Sequence, residues 1–72
     1  MSRLPSLMPK EVVKALEKDG FTVVRVKGSH YQLKKGNLLV TVPMHGGGLS
    51  KTTLRSVLRQ AKMRAEDLLE FL

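Results

Sequence analysis

Phe21-Thr22-Val23-Val24-Arg25-Val26-Lys27-Gly28-Ser29-His30-Tyr31-Gln32-Leu33-Lys34-Lys35-Gly36-Asn37-Leu38-Leu39-Val40-Thr41-Val42 is the stretch that decides the fold. Phe21 to Lys27 is rich in β-branched residues. His30 to Lys35 alternates, with Tyr31 and Leu33 on one face and His30, Gln32 and Lys34 on the other. Leu38 to Val42 alternates again, Leu38, Val40 and Val42 facing one way. Period-two alternation is the mark of a half-buried strand. Gly28-Ser29 leaves room only for a tight turn, and Lys35-Gly36-Asn37 forms a second. Three such runs joined by two tight turns predict an antiparallel meander with one face covered and one free.

Working outward, the flanks read as helices. On the N-terminal side Pro9 suits a first helical turn, where its missing N–H costs nothing. Val12, Val13, Ala15 and Leu16 then form the apolar stripe, and Gly20 supplies the stop. On the C-terminal side Pro43 ends the third strand, and Met44 to Leu49 reads as a flexible loop. Ser50 caps a helix running to about Lys62, with Leu54, Val57, Leu58 and Ala61 on its buried side. At about 100° per residue, Lys51, Arg55, Arg59 and Lys62 share a separate, wet arc. A short terminal helix from Ala65 to Leu72 offers Leu68, Leu69, Phe71 and Leu72 to the core. The expectation is an α+β fold of order α-β-β-β-α. The helices lie on one face of a three-stranded antiparallel sheet, as in a double-stranded-RNA-binding domain, and residues 1–72 make a single domain.

Charge adds direction. The chain of 72 residues carries a net charge of +7 and no cysteine. All acids lie near the ends, at Glu11, Glu17, Asp19, Glu66, Asp67 and Glu70, and none falls between Gly20 and Ala65. That interval holds nine cations: Arg25, Lys27, Lys34, Lys35, Lys51, Arg55, Arg59, Lys62 and Arg64. Such a one-signed field attracts polyanions. No basic helix also shows an aromatic insertion face for lipid, and no stretch approaches a signal peptide or a membrane span. Without cysteine, disulfides, thiolate metal sites and a cysteine nucleophile are excluded together. The expectation is a cytoplasmic, RNA-binding protein with no membrane partner, monomeric when free.

Phe21, the Lys27-Gly28-Ser29-His30-Tyr31 turn, Val40-Thr41-Val42-Pro43 followed by His45, and Thr53-Leu54-Arg55-Ser56-Val57-Leu58-Arg59-Gln60-Ala61 together resemble the HicA family. These are small mRNA interferase toxins of bacterial toxin–antitoxin pairs. The resemblance runs from about Pro9 to Lys62. It implies a ribonuclease whose histidine after glycine-serine is catalytic, which here is His30, and a HicB-type antitoxin as partner. Tyr31 stands where such proteins often carry a second histidine, and Thr52 and Lys62 stand where glycines are common. The Lys62 difference is expected to remove a helix stop and let the chain continue.

The residues support a chemistry of their own. His30 opens a strand on the face opposite Tyr31 and Leu33, hence the wet face. A histidine exchanges protons near neutrality. RNA carries its own nucleophile, so a base that takes the 2′-OH proton permits attack on the adjacent phosphorus. Arg25, Lys27 and Lys34 are local cations able to stabilise the charge that develops. Lys51, Arg55 and Arg59 extend the expected RNA contacts, with Gly28, Ser29 and His45. Magnesium-dependent phosphodiesterases need carboxylate ligands, and two histidines alone make a poor zinc site, so no metal or other cofactor is expected. His45 reads as a partner acid, a phosphate contact or a plain loop residue. Gly46-Gly47-Gly48 reads mainly as a connector, with an anion nest as the alternative. Tyr31 serves either RNA or the core. The rival readings are a non-catalytic RNA-binding module of the same fold, a DNA-binding protein using Lys51, Arg55 and Arg59, and a degenerate toxin kept as an antitoxin-binding subunit.

Overall fold

A computed structural model of the protein describes residues 6–72. Its elements run α1 (Pro9–Lys18), β1 (Thr22–Lys27), β2 (His30–Lys35), β3 (Leu38–Pro43), α2 (Lys51–Ala61) and α3 (Ala65–Leu69). The sheet is antiparallel, in the order β1-β2-β3. The α+β order α-β-β-β-α is the one expected.

Local chemistry sets each element. α1 starts at Pro9, and the Glu11 carboxylate turns back to accept the Met8 N–H at 2.9 Å, satisfying one of the donors a helix start leaves over. Its end closes through Gly20 at φ 111°, where the Phe21 N–H donates to Leu16 O at 3.0 Å. Both hairpin turns carry a positive φ at glycine, 58° at Gly28 and 57° at Gly36, and not at the residue that follows. That sign pattern belongs to the type II′ turn, whose twist matches the strands it joins. At α2, the Ser50 hydroxyl accepts the Thr53 N–H at 3.1 Å.

The covered face follows the predicted phase. Val23, Leu33 and Val40 are register partners, as are Tyr31 and Val42, and directly opposed residues share a face. Leu33, Val40 and Val42 are fully buried with Val12, Ala15, Leu16, Leu54, Val57 and Leu68. α2 lies along β3, an edge strand. There Gln60 Oε1 accepts the Thr41 N–H at 3.0 Å, while its own Nε2 donates to Ser56 at 3.2 Å. A sheet edge with free N–H groups invites pairing, and Gln60 covers one of them.

Four expectations need correction. Lys62 does not let the helix run on: it takes a left-handed conformation (φ 54°, ψ 43°) and stops it. The Lys62 N–H donates to Arg59 O at 3.2 Å and the Met63 N–H to Leu58 O at 2.9 Å. This hydrogen-bond pattern normally favours glycine, and half-buried Met63 packing on the core holds it here. The Met44–Leu49 loop is not free throughout, because buried Leu49 donates its N–H to Leu7 O at 2.8 Å. Leu72 lies 49% exposed rather than in the core, since α3 ends at Leu69. The covered face is also incomplete. A bulge between Val23 and Arg25 shifts the register of β1, and Val24 and Val26 remain about half exposed, at 54% and 53%.

Candidate functional site

The β1–β2 hairpin sets His30. The two-residue turn places Lys27 directly across from it, and on the other side its register partner is Pro43. Lys27, His30 and Pro43 thus form one row on the open face. The next row inward is Arg25, Gln32 and Thr41, and the one after it Thr22, Lys34 and Leu39. Lys27 is therefore the adjacent cation, and Arg25 lies one row on. Lys34, four residues along β2, is about 13 Å from His30 at the usual rise per strand residue. His30, Lys27, Arg25 and Lys34 are all exposed. No carboxylate stands in these rows, so the face presents histidine and cations to solvent.

Gly28 and Ser29 form the exposed turn, and an added Cβ at Gly28 would meet nothing within 4 Å. Gly28 is thus required by its positive φ, not by crowding. The Ser29 carbonyl accepts the Met44 N–H, which ties the loop after β3 to the residue preceding His30. His45 follows at once. Its Nδ1 accepts the Gly47 N–H at 3.3 Å, which leaves Nε2 to carry the proton of the neutral ring and to donate outward. The loop thus brings the second histidine to the same end of the sheet as the first. Gly46 and Gly47 stay exposed, while a Cβ on Gly48 would stand 2.9 Å from Ser6 Oγ.

The α2 cations are disposed differently. Lys51, Arg55 and Arg59 are exposed, but they belong to the helix layer, not to the open face that carries His30. Lys51 lies at the His30 end, because the Leu49–Leu7 hydrogen bond holds the α2 start beside the α1 start. Arg59 is two turns further, about 12 Å along the axis. Lys62 lines a separate hollow with Asp19, Lys35, Asp67 and Glu70 at the opposite end. One arc on the helical wheel has become a line running from the basic end to the acidic one. Tyr31 is half-buried against the core.

Two cations outside the expected site also face this end. Lys10 and Lys14 of α1 line a groove with Met8, Pro9, Met44 and His45, enclosing about 480 Å³. The only carboxylate there, Glu11, is engaged by the Met8 N–H. Met8 and Met44 are 36 positions apart, so no local pattern announces their meeting. Among the described residues no three histidine or carboxylate side chains converge on a metal position, and no helix is long and apolar enough to cross a membrane.

A family model described as the HicA toxin of bacterial toxin–antitoxin systems matches residues 9–63. The match spans α1 to the end of α2 and leaves α3 outside. Comparison with curated proteins found no match.

Proposed function

The chain belongs to the HicA toxin family of bacterial toxin–antitoxin systems, and from that premise we propose that it is a metal-independent endoribonuclease acting on mRNA in the cytoplasm, with His30 as its acid/base residue. The observation that carries this reading is the Lys27–His30–Pro43 row: an exposed histidine beside a cation, on an open strand face with no carboxylate.

His30 takes the proton of a ribose 2′-OH, and the 2′-oxygen attacks the adjacent phosphorus. The bond from phosphorus to the 5′-oxygen breaks, leaving a 2′,3′-cyclic phosphate and a 5′-hydroxyl. The departing oxygen takes its proton from a second donor. His45 fills this role as the imidazolium, whose Nδ1 then gives up the Gly47 N–H, and its loop is anchored to the His30 turn. Lys27 and Arg25 stabilise the negative charge that grows on the phosphoryl oxygens. Lys34 and the α2 residues Lys51, Arg55 and Arg59 contact flanking phosphates, and Gly28 and Ser29 let the backbone approach closely. The nucleophile belongs to the ribose, so DNA is not cut.

As a type II toxin it acts with an antitoxin of the HicB type. An acidic surface on that protein would complement the net charge of +7 and mask the open face. The whole chain then works as one domain, monomeric when free.

Cleavage of single-stranded RNA in excess EDTA, comparing wild type with His30→Ala, tests the reading. Wild type is expected to cut and the variant to be inert with an unchanged circular dichroism spectrum. Equal cleavage by both would remove His30 from the mechanism. Activity lost in EDTA and restored by Mg²⁺ would remove the metal-free route. Salt-sensitive RNA binding without cleavage would leave a binding module.

A further inference from the structure

We propose that the groove between the start of α1 and the β3–α2 loop is a nucleobase subsite, taking a base that flanks the scissile phosphate. The inference rests on the RNA-directed reading above and adds to it a position at which sequence is read.

The groove has the two kinds of surface a nucleobase needs. Met8, Pro9 and Met44 give apolar walls, and Met8 is 43% exposed. Thioethers are polarizable and adapt to a flat ring, and apolar side chains hold extruded bases in other proteins. The rim carries Lys10, Lys14 and His45, together with the Glu11 carboxylate that accepts the Met8 N–H. Lysine stems add apolar cover while their ammonium groups stay wet, and His45 offers Nε2 as a donor because Nδ1 is held by Gly47. At about 480 Å³ the space suits one nucleotide-sized group.

Position strengthens the case. Met44, a wall of the groove, donates its N–H to the Ser29 carbonyl and follows Pro43, the register partner of His30. A strand with its phosphate at His30 therefore reaches the groove by crossing one residue of β3 at the end of the sheet. Apart from the His30 imidazole, the open-face rows carry no aromatic ring, being filled by Thr22, Arg25, Lys27, Gln32, Lys34, Leu39, Thr41 and Pro43. Base contacts made there are polar or aliphatic and shallow. The groove is a half-open, mainly apolar space next to that row, and its rim, two lysines against one capped carboxylate, suits a base carried on a phosphate backbone.

The test uses a short 2′-O-methyl RNA, which offers no free 2′-OH, so that binding is read without cleavage. An abasic nucleotide is moved through successive positions, and affinity is measured by fluorescence anisotropy for wild type and Met8→Ala. In wild type one position is expected to lose affinity about fivefold or more, as the apolar walls lose the base they cover. In Met8→Ala, whose fold is checked by thermal melting, that positional loss is expected to shrink below about threefold, because the wall is already gone. Equal losses at every position, or the same positional loss in both proteins, would overturn the subsite. So would a Met8→Ala variant that binds every RNA like wild type yet no longer holds its antitoxin, since the groove would then be a protein contact. A positional loss in a protein that never cleaves ordinary RNA would keep the subsite and remove the ribonuclease reading.

Discussion

At the end of the sheet where β1 turns into β2, Lys27 and His30 stand side by side and unpaired on the open face, with His45, Lys10 and Lys14 around the corner. At the opposite end, where β2 turns into β3, the charges are engaged. Lys35 reaches Asp19 at 3.1 Å and lies 5.8 Å from the Phe21 ring centroid, and Arg64 lies 3.7 Å from Asp67. Lys62, Asp67 and Glu70 share the same hollow. The two ends draw on one chain with one excess of positive charge, yet all but one of its carboxylates gather at the far end, where Lys34 still stands exposed. A gap along the sequence has become a polarity in space. The carboxylates sit on the last turn of α1, its cap and α3, and the fold gathers these at the far end. The near end receives the starts of α1 and α2, whose one acid, Glu11, is spent on a cap.

The molecule thus has a working end and a holding end, and the contrast is greatest at His30. Replacing it with alanine should lower RNA cleavage by about 10²- to 10⁴-fold, the range for a lost acid/base group, with no change in melting temperature. A fall in both together would mean that His30 holds structure instead. At the other end Leu68→Ala should do the reverse. Leu68 is 1% exposed, and truncating a buried leucine costs about 2–5 kcal/mol, a large share of the total in a domain this small. Urea unfolding should show that loss, while cleavage per folded molecule stays at the wild-type level. An undiminished midpoint would mean that α3, which lies beyond the family match, is an ornament.

Smaller effects sharpen the same contrast. Lys62→Gly should stabilise the protein by about 1 kcal/mol, because glycine takes the left-handed conformation without the Cβ clash. Calorimetry should then show a rise of several degrees, and a fall would assign Lys62 a compensating contact. The finest test is salt. Lys27→Ala should flatten the dependence of log affinity on log salt by about 0.7, one counterion on a single strand. Lys35→Ala, removing a paired cation, should leave the slope unchanged and cost no more than about 1 kcal/mol of stability. Identical slopes for the two variants would erase the distinction between the ends.

Much of the fold was legible because it is written in local periods. The alternation in His30–Lys35 and Leu38–Val42 puts Leu33, Val40 and Val42 inside without reference to any other part of the chain, and the structure buries all three. Gly28, Gly36 and Ser50 likewise announce turns and a cap through their own backbone and hydroxyl chemistry. For the candidate site, the phase of β2 was enough to send His30 outward, and the two-residue turn was enough to set Lys27 opposite it. What stayed hidden needed partners far along the chain. Leu7 and Leu49 enter the core by pairing with each other, Gln60 matters because α2 lies on the outer edge of β3, and the groove exists because Met8 meets Met44.

The order α-β-β-β-α, the outward face of His30 and the excess of positive charge can all be read from residues a few positions apart. Only the tertiary structure decided where that charge is free. It paired Lys35 with Asp19, drew Lys62 among acids in a left-handed helix end, and spread Lys51, Arg55 and Arg59 along an axis instead of around His30. The physical reason is reach. A hydrogen-bonded turn or an alternating strand settles its own geometry, whereas the field at a site is the sum of charges that folding brings from every element at once.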